Sequence, residues 1–128
     1  MATNLQHTSS GTTLYNRALA FKSNGYYAGS QYAFREAAFH LEDEINQPDL
    51  PLALRKDLQD KLYSCYQSLW VWFIWACENS SANPTLEKIL GDGATYFGSK
   101  TVEASQKLAE LKKESKVYGG HKAIKNLH

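Results

Sequence analysis

The chain has little of what breaks or staples a small fold. It carries three prolines in 128 residues, Pro48, Pro51 and Pro84. Proline disrupts a helix interior, so their scarcity between Leu14 and Lys113 favours long helices. Cysteines number two, Cys65 and Cys77. On one helix, twelve residues apart, they are separated by about 18 Å. A disulfide needs Cα atoms roughly 4.4–6.8 Å apart, which excludes a bridge between them and points to a reduced, cytoplasmic compartment. No C-x2-C spacing occurs, so no zinc site, and no other metal or cofactor, is expected. Charge of one sign is also absent: 14 basic and 13 acidic residues leave a net charge of +1. That removes any global pull toward nucleic acid or anionic membrane. The longest apolar run, Leu69 to Cys77, falls well short of the roughly 20 residues a membrane-spanning helix requires. The opening MATNLQHTSSGTT has neither a positive n-region nor an apolar h-region. It reads as a flexible polar lead-in over residues 1–12, with no secretory signal.

What is present is enough apolar material for one core. Hydrophobic residues make up 43% and charged residues 21%, an ordinary globular balance, and the length suits a single domain. We expect that domain over residues 13–116. Leu14, Ala18 and Phe21 repeat at helical spacing and predict a first helix from Thr13 to Ser23, capped by Thr12 or Thr13 and stopped at Asn24-Gly25. Tyr27, Ser30, Phe34, Ala37, Ala38 and Leu41 form the inner stripe of a second, Tyr27 to Ile45, ended by NQPDLP. A third runs from Leu52 to Asn79. Asn83 as cap with Pro84 in the first turn starts a fourth. Gly91, Gly93 and Gly98, each costing about 1 kcal/mol in a helix interior, predict a break between Gly91 and Ser99. A fifth helix then covers Lys100 to Lys116, and residues 117–128 form a frayed basic tail.

The stretch SLWVWFIWACEN holds all three tryptophans. At about 100° per residue, Leu62, Tyr66, Leu69, Phe73 and Ala76 gather on one face of the third helix. Tyr63, Trp70, Ile74 and Cys77 flank it on one side, Cys65 and Trp72 on the other. Val71 and Trp75 lie opposite, among Lys61, Ser64, Gln67, Ser68 and Glu78. A helix that is apolar all round is normally covered all round. Most of Trp75 is therefore expected under the helix that follows Pro84. Val71, Trp72 and Trp75 are the candidate binding residues for a protein partner or a second copy, because tryptophan is favoured at interface hot spots. A pocket for a small apolar ligand lined by Tyr66, Trp70 and Trp72 is a further reading. Insertion at a membrane surface is a fourth, weakened by the lack of a dense Lys/Arg face.

Other motifs carry less. GDGATYFGSKT spaces Gly93 and Gly98 like a phosphate loop, but Ser99 stands where the lysine belongs and no strand precedes it. The glycines are read instead as positions of turning or of close helix approach. Glu42, Asp43 and Glu44 are consecutive and spread around a helix rather than converge on a metal. His7, His121 and His128 fall in the expected tails. Lys112 to His128 contains five lysines and one glutamate, a segment able to touch nucleic acid, acidic protein or membrane, with a solvated tail as the plainer account.

The pattern of small Ala18, aromatic Phe21, turn Gly25, aromatic Tyr27, small Ser30, aromatic Phe34 and small Ala37 resembles a single tetratricopeptide-like helical hairpin over residues 14–41. The resemblance implies two helices packed closely through small residues; the rest of the sequence shows no second repeat. The same stretch is also similar to the first hairpin of HEPN domains, helical bundles found in RNA-cleaving toxins and their inactive relatives. Arg35 and His40 have the R-x4-H spacing of that family. By this resemblance His40 would transfer a proton at a ribose 2′-OH and Arg35 would stabilise the phosphate. The expectation is therefore an all-α bundle of four or five helices with a tetratricopeptide-like first hairpin. Its expected role is a non-enzymatic interaction or assembly module, with a ribonuclease as the alternative.

Overall fold

The computed structural model describes residues 9–127, with side chains from Ser9 to Glu114. Four helices follow one another: α1 (Ser10–Ser23), α2 (Tyr27–Ile45), α3 (Leu52–Glu78) and α4 (Pro84–Leu127). No strand occurs among the described residues, so the chain is an all-α bundle. Each helix packs on the next, α1 on α2, α2 on α3 and α3 on α4, while α1 scarcely meets α3. The core lies along the two faces of α2 and α3. Phe34, Leu41 and Leu69 are fully buried there, with Ala18 and Ala37 letting the backbones close in.

The turns show why the helices end where they do. At the end of α1, Gly25 adopts the left-handed region at φ 80°. The Tyr26 N–H donates to the Phe21 carbonyl at 2.8 Å and the Gly25 N–H to that of Lys22 at 3.1 Å. The Tyr26 and Phe21 rings meet edge to face at 6.4 Å. This is the Schellman pattern, with its hydrophobic contact. At the end of α2 the exposed carbonyls are taken up from α3. The Arg55 guanidinium donates to Ile45 O, to Gln47 O at 2.9 Å and to Leu50 O at 3.4 Å. Asn83 caps α4, its Oδ1 accepting the Leu86 N–H at 3.1 Å.

Two expectations are corrected. The first helix starts at Ser10, capped by Ser9, whose hydroxyl accepts the Thr12 N–H at 3.0 Å. Thr12 and Thr13 lie inside it. The extra turn is held by α2: the Gly11 N–H donates to Glu44 Oε2 at 3.2 Å. A Cβ on Gly11 would meet Leu41 Cγ at 2.7 Å. The second correction concerns the break near Gly91 to Ser99, which does not exist. The expected fourth and fifth helices are one, α4, and its backbone continues through the expected tail to Leu127. The tail's side chains, including those of His121 and His128, and the lead-in 1–8 with His7, lie outside the described residues.

The glycines of α4 are where α3 comes closest. A Cβ on Gly93 would stand 2.5 Å from Phe73 Cδ1, and one on Gly98 would stand 2.8 Å from Trp70 Nε1. Phe97 stacks between them, 5.2 Å from the Phe73 ring and 6.2 Å from that of Tyr66. Further along, Gln59, which is buried, donates through Nε2 to the Ala104 carbonyl at 3.2 Å. At the other end the Cys77 thiol donates to the Glu87 carbonyl at 3.4 Å. Together these contacts fix α3 and α4 as an antiparallel pair.

Candidate binding groove

The aromatic run divides among three surroundings. Leu62, Tyr66, Leu69 and Ala76 are buried as the helical phase predicts, and Phe73 is half-buried. Trp70 turns to α4. Trp72 turns the other way, half-buried against the start of α2. Val71 and Trp75 are both 58% exposed. The expectation that the helix after Pro84 covers most of Trp75 is therefore overturned. That helix packs on Trp70, Phe73 and Cys77, and Trp75 points away from it. A shared pocket for Tyr66, Trp70 and Trp72 fails for the same reason, since the first two pack toward α4 and the third does not.

A groove of about 580 Å³ opens on the uncovered side. From α3 come Val71, Trp72 and Trp75, the three candidate binding residues, with Gln67 and Ser68 one turn back. The facing wall is Tyr27 and Gln31 of α2, and Lys22 of α1 stands at its edge. The Schellman turn brings Lys22 and Tyr27 together, because it reverses the chain within three residues.

Three features of the groove were not read from the sequence. Tyr27, expected on the inner stripe of α2, is 59% exposed, since it precedes the stretch of α2 that packs on α1 and α3. Gln31 is only 9% exposed, and its Oε1 has no hydrogen-bond partner among the described residues. A buried acceptor left unmet costs about 1–3 kcal/mol. Third, no side chain caps the start of α2 at Tyr26, leaving first-turn N–H groups without a side-chain acceptor.

Arg35 and His40 sit on α2 away from this groove. Arg35 is exposed, and His40 is half-buried, edge-on to the Phe39 ring at 5.6 Å. Five residues apart on one helix, they diverge by about 140°. Glu42, Asp43 and Glu44 do not converge either: Glu44 holds Gly11, and Asp43 is exposed. Among the described residues no group of three or more His, Cys, Asp or Glu side chains is placed to hold a metal ion. None of their helices is long and apolar enough to cross a membrane.

Two ionisable groups are shifted. Burial pushes the Cys65 thiol up to about 12. Burial, and secondarily the neighbouring Glu42 carboxylate, also raises the Tyr66 hydroxyl. Both belong to the core, and neither is an activated nucleophile. A smaller polar crevice of about 290 Å³ includes Arg55 and Gln59. Those two side chains already serve the α2 carbonyls and the α4 backbone. Comparison with family models, with characterised proteins and with solved structures yields no match to this chain.

Proposed function

We propose that this protein is a non-enzymatic assembly module that docks a protein partner, a second copy of itself, through the aromatic face of α3. The observation that carries the reading is the uncovered patch of Val71 and Trp75, each 58% exposed, beside Tyr27 at 59%. Apolar side chains left together in water mark interaction surfaces. Tryptophan is among the residues that dominate interface energetics. The resemblance of residues 14–41 to a single tetratricopeptide-like hairpin supports a scaffold role. The free thiols Cys65 and Cys77 fit a reduced, cytoplasmic setting.

Sedimentation velocity of the wild type and of Trp75→Ala tests the reading. The wild type should dimerise as concentration rises, and its melting temperature should rise with it. Trp75→Ala should remain folded, because most of its ring is in solvent, and should stay monomeric. A wild type that is monomeric at several hundred micromolar would overturn self-association.

A further inference from the structure

The groove has features that an apolar docking patch does not need. Its volume of about 580 Å³ falls within the roughly 300–1,000 Å³ typical of small-molecule sites. Tyr27, Trp72 and Trp75 line it with aromatic surface. Gln31 contributes a side-chain amide that is nine-tenths buried, with an oxygen that no donor satisfies. One charged side chain, Lys22, lines the groove.

We propose that the groove binds a small planar aromatic anion bearing a ring N–H or O–H donor, free in solution rather than part of a protein. The aromatic walls take up the ring by stacked or edge contacts. The donor meets Gln31. The Gln31 oxygen is itself buried in the free protein, so it meets the donor by rotation about the terminal torsion, which is soft in glutamine. The negative group sits between Lys22 and the start of α2. There the uncapped first-turn N–H groups and the helix dipole both favour an anion. The inference goes beyond the docking reading and does not rest on it. Trp75 serves both readings, but docking needs no more than the exposed rim of Val71 and Trp75, whereas the ligand also requires Gln31 and Lys22.

Calorimetric titration of the full chain tests this with three probes: indole-3-acetate, 1-methylindole-3-acetate, which lacks the donor, and tryptamine, which reverses the charge. Indole-3-acetate should bind saturably, one per chain. The methylated probe should bind about three- to tenfold more weakly, the value of one hydrogen bond, and tryptamine should not bind measurably. Gln31→Leu should erase the difference between the two acetates, an effect that a merely structural glutamine would not produce. Lys22→Glu should weaken both. Circular dichroism confirms that each variant is folded. No saturable binding of indole-3-acetate up to millimolar concentration overturns the proposal, as does equal binding of the two acetates by the wild type. The outcomes separate the two readings. A dimer broken by Trp75→Ala together with no probe binding removes the ligand and keeps the docking face. Probe binding to a strictly monomeric wild type does the reverse.

Discussion

Gly91 and Gly93 stand two residues apart on α4 and should respond in opposite directions to the same added methyl group. In a helix interior, alanine is favoured over glycine by about 1 kcal/mol. At Gly91 the new Cβ would find Cys77 Sγ at 3.5 Å, an ordinary contact. Gly91→Ala should therefore gain most of the propensity, about 0.5–1 kcal/mol. At Gly93 the same Cβ would lie 2.5 Å from Phe73 Cδ1 and 2.6 Å from Cε1. The ring must retreat by about 1 Å to reach van der Waals distance. It has little room to do so, held between Trp72 at 5.1 Å and Phe97 at 5.2 Å between centroids. Overpacking of this kind costs about 1–3 kcal/mol. Set against the propensity gain, Gly93→Ala should lose up to about 2 kcal/mol.

Urea unfolding followed by circular dichroism at 222 nm reads both variants, with the slope m unchanged. The cause is isolated by the double variant Gly93→Ala with Phe73→Leu. Removing the ring should make the alanine favourable, so the two substitutions should be less harmful together than their separate effects predict. Two results would refute the reasoning. Gly93→Ala as stabilising as Gly91→Ala would mean that Phe73 does not lie over Gly93. A destabilising Gly91→Ala would mean that α4 is broken there.

Three further outcomes are expected. Ser9→Ala removes the side-chain acceptor of the Thr12 N–H and should cost about 0.5–2 kcal/mol, read by thermal melting; no change would place the start of α1 elsewhere. Arg55→Ala strips the donors from the end of α2 and should cost about 1.5–3 kcal/mol, with the faster hydrogen exchange confined at first to the last turn of α2. Stability should also fall as pH rises above 9. The Cys65 thiol, ordinarily 9.0, is raised to about 12 in the fold, so between those values the unfolded chain has released a proton that the folded chain retains. Its contribution is complete below pH 9 and is lost at up to about 1.4 kcal/mol per pH unit above it. The raised Tyr66 hydroxyl acts in the same direction at still higher pH. Unfolding titrations at pH 7 to 10.5 should show a shallower decline for Cys65→Ala, and equal slopes would remove burial of the thiol as the cause.

Helix ends were legible where local chemistry alone decides them. Asn24-Gly25 needs only a left-handed residue and one aromatic pair, and Asn83-Pro84 needs only a cap and a fixed φ. The start of α1 was misplaced because Gly11 looks like loop, and its helical state depends on Leu41 and Glu44, thirty or more residues away. The missing break in α4 has the same origin. Propensity counts each glycine as a loss, while the packing of Phe73 on Gly93 and of Trp70 on Gly98 uses the absent Cβ. Val71 and Trp75 were readable as a surplus from helical phase. Tyr27, Gln31 and Lys22 were not, because nothing local says which helix start will face them. One signal was available: Gln31 is a polar residue adjoining the Tyr27–Ser30–Phe34 stripe, where burial was expected.

The uncovered end of α3 follows from helix lengths. At 1.5 Å per residue the 19 residues of α2 span about 28 Å and the 27 of α3 about 40 Å. Arg55 ties the start of α3 to the end of α2, so the roughly 12 Å excess falls at the far end of α3. That end carries Trp72 and Trp75. The Schellman turn fixes the excess, since Gly25 sets where α2 begins, at Tyr27, beside the two tryptophans rather than beyond them. On its other face the same stretch packs on α4, which is long enough to follow α3 to Cys77 and the Glu87 carbonyl. One helix is thus followed from Gln59 to Cys77 on one side and only partway on the other. The apolar run has residues suited to both sides, and the three that face away from α4, Val71, Trp72 and Trp75, line a groove whose opposite wall holds an unmet amide oxygen.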